Sequence, residues 1–289
     1  MNIYNIAIIG VGKMGGALAL TFSKKNYKVT QLFTRNYEKA EEIAKLIEPR
    51  PKILGSEEFE KINADIVFIT TQDSEIATVA ENLAERLEIL PYIFHTSGAL
   101  SSKVLEKLNK NGCQVGSIHP LISISDAKIG TDSLKGAYFC LEGDTLAVDL
   151  ATQIIANLEG IPFSIETKYK PLYHASAVTA CGHLVALVST AVEMLSNCGL
   201  SKTQAQTILF PLIKSTVENL SLQTPTEALT GTFARADTET LKLQLAALEK
   251  IDSRELLEIY KLLGLRSLHL AAEQGTDAEK LEQMRQILS

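Results

Sequence analysis

The sequence predicts an α/β protein, with a doubly wound, mainly parallel sheet over residues 1–166 and an all-helical domain over residues 167–289. Three observations lead there. The chain opens Asn5-Ile-Ala-Ile-Ile-Gly10-Val-Gly12-Lys-Met-Gly15-Gly16, an apolar strand that breaks into glycines and resumes as a helix from about Ala17. Short apolar runs bounded by polar loops then recur as far as Glu166, as buried parallel strands require. Past Glu166 those runs stop, and long helical patterns with capping signals take over.

The glycine run carries the first functional reading. A strand passing through Gly10-x-Gly12-x-x-Gly15 into a helix lets the backbone approach a pyrophosphate, which the helix N-terminus holds with its unpaired N–H groups and dipole. This is the Rossmann dinucleotide fingerprint; the plainer alternative is a tight strand-to-helix turn. It nominates Gly10, Val11, Gly12, Lys13, Met14 and Gly15 for cofactor contact. The next strand, from Lys28, ends at Thr34-Arg35-Asn36, with Asn36 as the N-cap of the following helix. An acid at this point would bond a ribose 2′-hydroxyl, whereas an Arg accommodates a 2′-phosphate. Arg35 therefore favours NADP over NAD, the alternative being a solvated charge at a helix start.

A short strand falls near Lys52–Leu54, and Ala64–Ile69 is a buried strand that ends at Thr70-Thr71-Gln72, with Asp73 as a cap for the helix running to Leu87. Tyr92–His95 opens onto Thr96-Ser97-Gly98, and Cys113–Ile118 opens onto His119-Pro120. Ala137–Leu141 and Ile161–Ile165 are further strands around an amphipathic helix from Thr145 to Leu158. The helical domain begins with a long apolar helix, Pro171–Asn197, followed by capping-box starts at Ser201, Thr224, Asp252 and Thr276.

Composition narrows the function. A formal charge of -6 without any Lys/Arg cluster argues against nucleic acid and acidic membranes as partners. The four cysteines form no C-x-x-C pair, so neither a metal site nor a disulfide framework is indicated, and a reducing cytoplasm fits. The chain reaches its first strand too early for a signal peptide, and no apolar run is read as reaching membrane-spanning length. H-E-x-x-H, G-x-S-x-G and Walker loops are lacking, which leaves hydride transfer as the chemistry in view.

In a doubly wound sheet the loops at Thr71, Ser97 and His119 should line one crevice beside the glycine loop. His119, stiffened by Pro120, suits a general acid or an anchor bonded to a backbone carbonyl. Ser97 suits the site or a cap for Leu100 onward. His174, near the start of the long helix, is an acid candidate, with Lys168 and Lys170 as alternatives; His183 points away from it and reads as a core or interface residue. Arg235, after the Gly231 turn, either clamps a substrate carboxylate or pairs with an acid such as Asp237, itself a helix cap.

Gly-Val-Gly-Lys-Met-Gly, Gly116-Ser-Ile-His119-Pro120-Leu, Leu172-Tyr-His174-Ala and Leu229-Thr-Gly231 with Ala234-Arg235-Ala-Asp237 occur in the order seen in a known family. Over nearly its whole length the chain resembles bacterial two-domain oxidoreductases whose helical C-terminal domain is of unknown function. It is similar more widely to the 6-phosphogluconate dehydrogenase-like and ketopantoate reductase-like group. The resemblance implies NADP and a homodimer through the helical domain; the glycine fingerprint with Arg35, His119 and His174 points to reduction of a small carbonyl acid, with imine or deazaflavin-linked chemistry and a catalytically weak sensor as the alternatives. Gly182 stands where the family often has an amide, and Thr232 and Ala236 where it has Pro and Gly.

Overall fold

The computed structural model describes residues 4–25 and 27–289. The chain divides into two compact units, one ending at Gly182 and one spanning His183–Ser289. In chain order the first unit holds β1 (Asn5–Ile9), α1 (Lys13–Ser23), β2 (Lys28–Thr34), α2 (Tyr37–Ala44), β3 (Lys52–Gly55), β4 (Ile66–Ile69), α3 (Asp73–Arg86), β5 (Tyr92–His95), α4 (Glu106–Lys110), β6 (Gln114–Pro120), α5 (Ala127–Ser133), β7 (Tyr138–Gly143), α6 (Thr145–Asn157), β8 (Ile161–Ser164) and α7 (Lys170–Val178).

The strands form one sheet in the order β3-β2-β1-β4-β5-β6-β7-β8, parallel except where β6 meets β7. The order reverses between β1 and β4, the switch point at which such sheets bind ligands. Both faces are covered, and the alternation of side chains shows how. Ile6 and Ile8 of β1 and Ile66 and Phe68 of β4 enter one apolar cluster with Leu18, Phe22 and Ile154. Ala7, Ile9, Val67 and Ile69 enter another with Ile76, Leu83 and Leu105.

Several expectations are corrected. α1 starts at Lys13, not near Ala17, because Gly15 and Gly16 are themselves helical and packed. A Cβ at Gly15 would run into the Gly10 carbonyl and Thr70 Oγ1, so the glycine is needed for strand–helix contact. Gln72 rather than Asp73 precedes α3, and the Asp73 carboxylate accepts a bond from Ser97 instead. α5, capped by Asp126, was not anticipated. Ser253 and Asp277, each one residue past the expected cap, supply the caps of two later helices.

The second unit contains α8 (Leu184–Ser196), α9 (Lys202–Leu222), α10 (Pro225–Ala228), α11 (Thr238–Leu248), α12 (Arg254–Glu273) and α13 (Ala278–Leu288). Capping boxes at Ser201 and Thr224 and the Asp237 cap form as read from the sequence. Its core is Leu241, Leu245, Leu268, Ala271, Leu281, Met284 and Leu288. α8 buries none of its residues, and α9 buries only Ala205.

The last strand ends at Ser164, close to the sequence break at Glu166, yet the compact units part at Gly182, inside a π turn, Thr179–His183. That turn ends the 100° spacing on which the relative facing of His174 and His183 was reckoned. The helical stretch Thr167–Ser196 contains an 18-residue window of mean hydropathy 1.6, long and apolar enough to cross a membrane by length and composition, so an apolar run of membrane-spanning length is present after all. Alanines, serines and threonines interrupt the apolar residues without adding charge, so an eye set on unbroken apolar runs passes it over.

Candidate functional site

The glycine loop is shaped by contact with β4. Gly10 adopts φ +94°, and a Cβ there would lie 2.9 Å from Thr71 Cγ2. Thr70 Oγ1 donates to the Gly10 carbonyl at 2.5 Å, tying the β4 end to the loop. Nothing lies within 4 Å of a Cβ position on Gly12, which precedes α1 and caps it with no side chain. The first-turn N–H groups of α1 therefore open onto space that an anion can fill.

A cavity of about 580 Å³ runs from this loop along the ends of β1, β2 and β4 to α3. Gly10, Val11, Gly12, Thr34, Arg35, Asn36, Thr70, Thr71 and Gln72 line it, joined by Lys39, Asn82 and Arg86; Lys13, Met14 and Gly15 do not. Thr34 is buried and spends its hydroxyl on Asn36, accepting its N–H at 2.9 Å. Asn36 caps α2 by accepting Lys39 N–H at 3.1 Å. Arg35 is exposed and pairs with Glu75 of α3 at 2.5 Å.

Sheet register continues from β1 across to β6. Ile9, Ile69, His95 and Ser117 are partners across β1, β4, β5 and β6. Two residues further along the chain from Ile69, His95 and Ser117 come Thr71, Ser97 and His119; only His119 is still in a strand, and neither Ser97 nor His119 lines the nucleotide cavity. Ser97 is buried; its hydroxyl donates to Asp73 at 2.7 Å and accepts Ala99 and Leu100 N–H at 3.2 and 3.0 Å. It holds the turn and has no capacity left for substrate.

Beyond Ser97 the arrangement turns aromatic. His119 Nδ1 lies 2.7 Å from Tyr173 Oη on α7, and the His119 and His174 rings meet edge to face, centroids 5.8 Å apart. Gly98 sits under both: a Cβ there would be 2.5 Å from His174 Cδ2 and 2.8 Å from His119 Nε2. Burial, then the neighbouring His174 and Lys170, push His119 down to about 4, so its ring is neutral. Burial pushes the Tyr173 phenol well above its ordinary value, so the hydroxyl keeps its proton. The Tyr173 hydroxyl and His119 Nδ1 share one hydrogen bond whose donor is set by the imidazole tautomer, and the other ring nitrogen, Nε2, lies on the Gly98 side.

Sequence reasoning missed three contributors. Tyr173 was noted only as part of a motif, Lys170 only as an alternative acid, and Glu142 not at all. Lys170 is fully buried and paired with Glu142. The spacing from Lys170 to Tyr173 and His174, one helical turn, was the available signal. Buried His95, held near 3 by burial and then Lys170, accepts Ser97 N–H at 3.2 Å. In the second unit, Arg235 is exposed, and Asp237 accepts Thr240 N–H and Oγ1–H at 3.0 and 2.7 Å. Ala236 takes φ +49°, the left-handed region that favours glycine.

Comparison with known proteins agrees with the cleft. Residues 5–90 match the family described as NADP oxidoreductase, coenzyme F420-dependent. The chain is an NADP-dependent oxidoreductase. Residues 137–267 match a domain of unknown function. Among curated proteins no match is found. A Bacteroides fragilis protein proposed to be an NADP oxidoreductase is similar at 22% identity, covering 92% of this chain and 98% of its own, with TM-score 0.73. A Thermotoga maritima protein is similar at 24% identity, 93% and 99% coverage and TM-score 0.73. Plasmodium falciparum pyrroline carboxylate reductase, solved with NADP bound, shares 14% identity over 100% of both chains at TM-score 0.59. These structural likenesses concern the fold.

The residues of the oxidoreductase fit the cofactor. The open space over Gly12 admits a pyrophosphate, and buried Thr71 Oγ1 has no hydrogen-bond partner at the loop. Arg35 and Lys39 supply positive charge where a 2′-phosphate would lie, with Glu75 as the acid to be displaced from Arg35.

Proposed function

We propose that the protein reduces the carbonyl carbon of a small 2-oxo acid, ketopantoate among the candidates, at the aromatic cluster beyond Gly98. The observation that carries this is the Tyr173–His119 bond of 2.7 Å with His174 beside it. NADPH, when bound, supplies a hydride to an electrophilic carbon. In the tautomer in which Tyr173 donates to Nδ1, the His119 Nε2–H polarises the substrate oxygen and stabilises the charge that develops there. The half-buried His174, edge to face with His119, is the residue placed to pass a proton to that oxygen. His-Pro-Leu and Tyr-His-Ala support a place among the 6-phosphogluconate dehydrogenase-like and ketopantoate reductase-like enzymes.

A second reading, imine reduction, is favoured by the fold shared with pyrroline carboxylate reductases and with an Aspergillus terreus reductive aminase at TM-score 0.56. The test is NADPH oxidation across 2-oxo acids and cyclic imines, with His174→Ala alongside. We expect turnover on a 2-oxo acid and a loss of about 10²–10⁴-fold in the variant. NADPH bound without turnover on any carbonyl or imine would refute the enzyme reading in favour of a sensor.

We also infer a homodimer through the helical unit, working in the cytoplasm. Leu184, Val185, Ile208, Phe210 and Leu212 on α8 and α9 are between 41% and 68% exposed, an apolar surface of the kind that marks an interface. Sedimentation as a dimer without detergent supports this; recovery only with membranes would overturn it.

A further inference from the structure

Below the imidazoles lies an ion pair that the proton-transfer reading does not use. Lys170 Nζ and Glu142 Oε1 are 3.4 Å apart, their side chains 0% and 5% exposed. Lys170 donates to the Ser97 carbonyl at 3.2 Å and to Ser117 Oγ. Glu142 accepts the Ser102 N–H at 2.7 Å, the Ser102 hydroxyl at 2.8 Å and the Thr167 hydroxyl at 3.3 Å. Two side chains thus join the end of β5, the strands β6 and β7, the turn at Ser102–Leu105 and the entry to α7.

Stability alone gives little reason for such a pair, since well-packed apolar residues commonly replace a buried ion pair at no net loss. Its place in the fold gives a better one. Lys170 is the first residue of α7, and Tyr173 and His174 follow it by three and four positions, on one helix face. An ammonium bolted to the ends of β5 and β6 fixes the depth and rotation at which α7 meets the sheet. The ammonium itself is enclosed, and its three hydrogens are matched by the Ser97, Ser117 and Glu142 oxygens.

We propose that Lys170 and Glu142 form a positioning device that sets α7 against β5 and β6 so that Tyr173 and His174 reach His119. It rests on the proton-transfer reading for its purpose, but not for its test. The cation beneath the site also adds, after burial and His174, to keeping His119 neutral.

The test compares Lys170→Met, Glu142→Gln and the double variant Lys170→Met/Glu142→Leu, which removes both charges and keeps the fold testable should a single variant not fold. In the double variant we expect parental thermal stability and NADPH affinity within about twofold, because neither residue lines the nucleotide cavity. We expect kcat to fall by about 100-fold with KM little changed, the scale of a displacement near 1 Å at a reacting group. Nitrogen-15 NMR of His119 should show loss of the Tyr173 bond at Nδ1. Parental kcat together with a parental Nδ1 signal would overturn the proposal. So would a Lys170→Met pH profile lacking one ionisation limb, since Lys170 would then be the acid itself. The NMR readout needs no turnover, so an inactive protein with a displaced His119 would sink the reaction and leave the positioning intact.

Discussion

Replacing Gly98 with Ala puts the geometry of the site under direct strain. The new methyl would stand 2.5 Å from His174 Cδ2 and 2.8 Å from His119 Nε2, where ordinary contact begins near 3.4 Å. Each imidazole must retreat by somewhat under about 1 Å, and the two cannot both yield along the direction that keeps the Tyr173 bond. Overpacking of this kind costs about 1–3 kcal/mol of stability. Misplacement of a reacting group by that distance costs about 100-fold in rate. The glycine loop lies outside the perturbed contacts, so NADPH affinity should hold. The assay is kcat and KM under saturating NADPH, with cofactor binding followed by fluorescence and folding by thermal melt. A Gly98→Ala protein with parental kcat would refute the placement of the histidines at the reacting centre. A variant that lost NADPH binding in proportion to activity would refute it too.

Arg35→Ala should weaken NADPH binding well beyond NADH binding, read by titration with both cofactors; equal losses would remove Arg35 from the 2′-phosphate. Glu75→Gln frees Arg35 from its 2.5 Å partner and should tighten NADPH while leaving NADH nearly unchanged. Stability should fall as pH drops below 6.5. His95 and His119 titrate at about 3 and about 4 when folded against 6.5 unfolded, so between those limits the unfolded chain binds more protons. Each histidine then costs about 2 kcal/mol between pH 6.5 and 5, and that stability is fully present only above pH 6.5. Urea melts at pH 7.5, 6 and 5 measure this; a flat midpoint would contradict the burial of both rings as neutral species.

Local order was legible in the residues themselves. The strand–glycine–helix run, the buried apolar strands and the Asn36, Ser201, Thr224 and Asp237 caps are short-range matters of hydrogen bonding and periodicity, and the structure follows them. The shared crevice was legible only in part, because Thr71 lines the nucleotide cavity while Ser97 and His119 do not. What each side chain does there was decided by tertiary contact. Ser97 looks reactive in sequence and is spent on Asp73 and its own turn. Lys170 looks like any lysine at a helix start, and only the enclosure shared with Glu142, Ser117 and the Ser97 carbonyl makes it a fixture of the site. Tyr173 acquires its role from a histidine 54 residues earlier. By itself, then, the sequence determined most of the order of strands and helices and pointed to the glycine loop as the place for a dinucleotide. Which groups are buried, and so which are charged, neutral or already bonded, depends on neighbours distant in the chain, and packing alone supplies them.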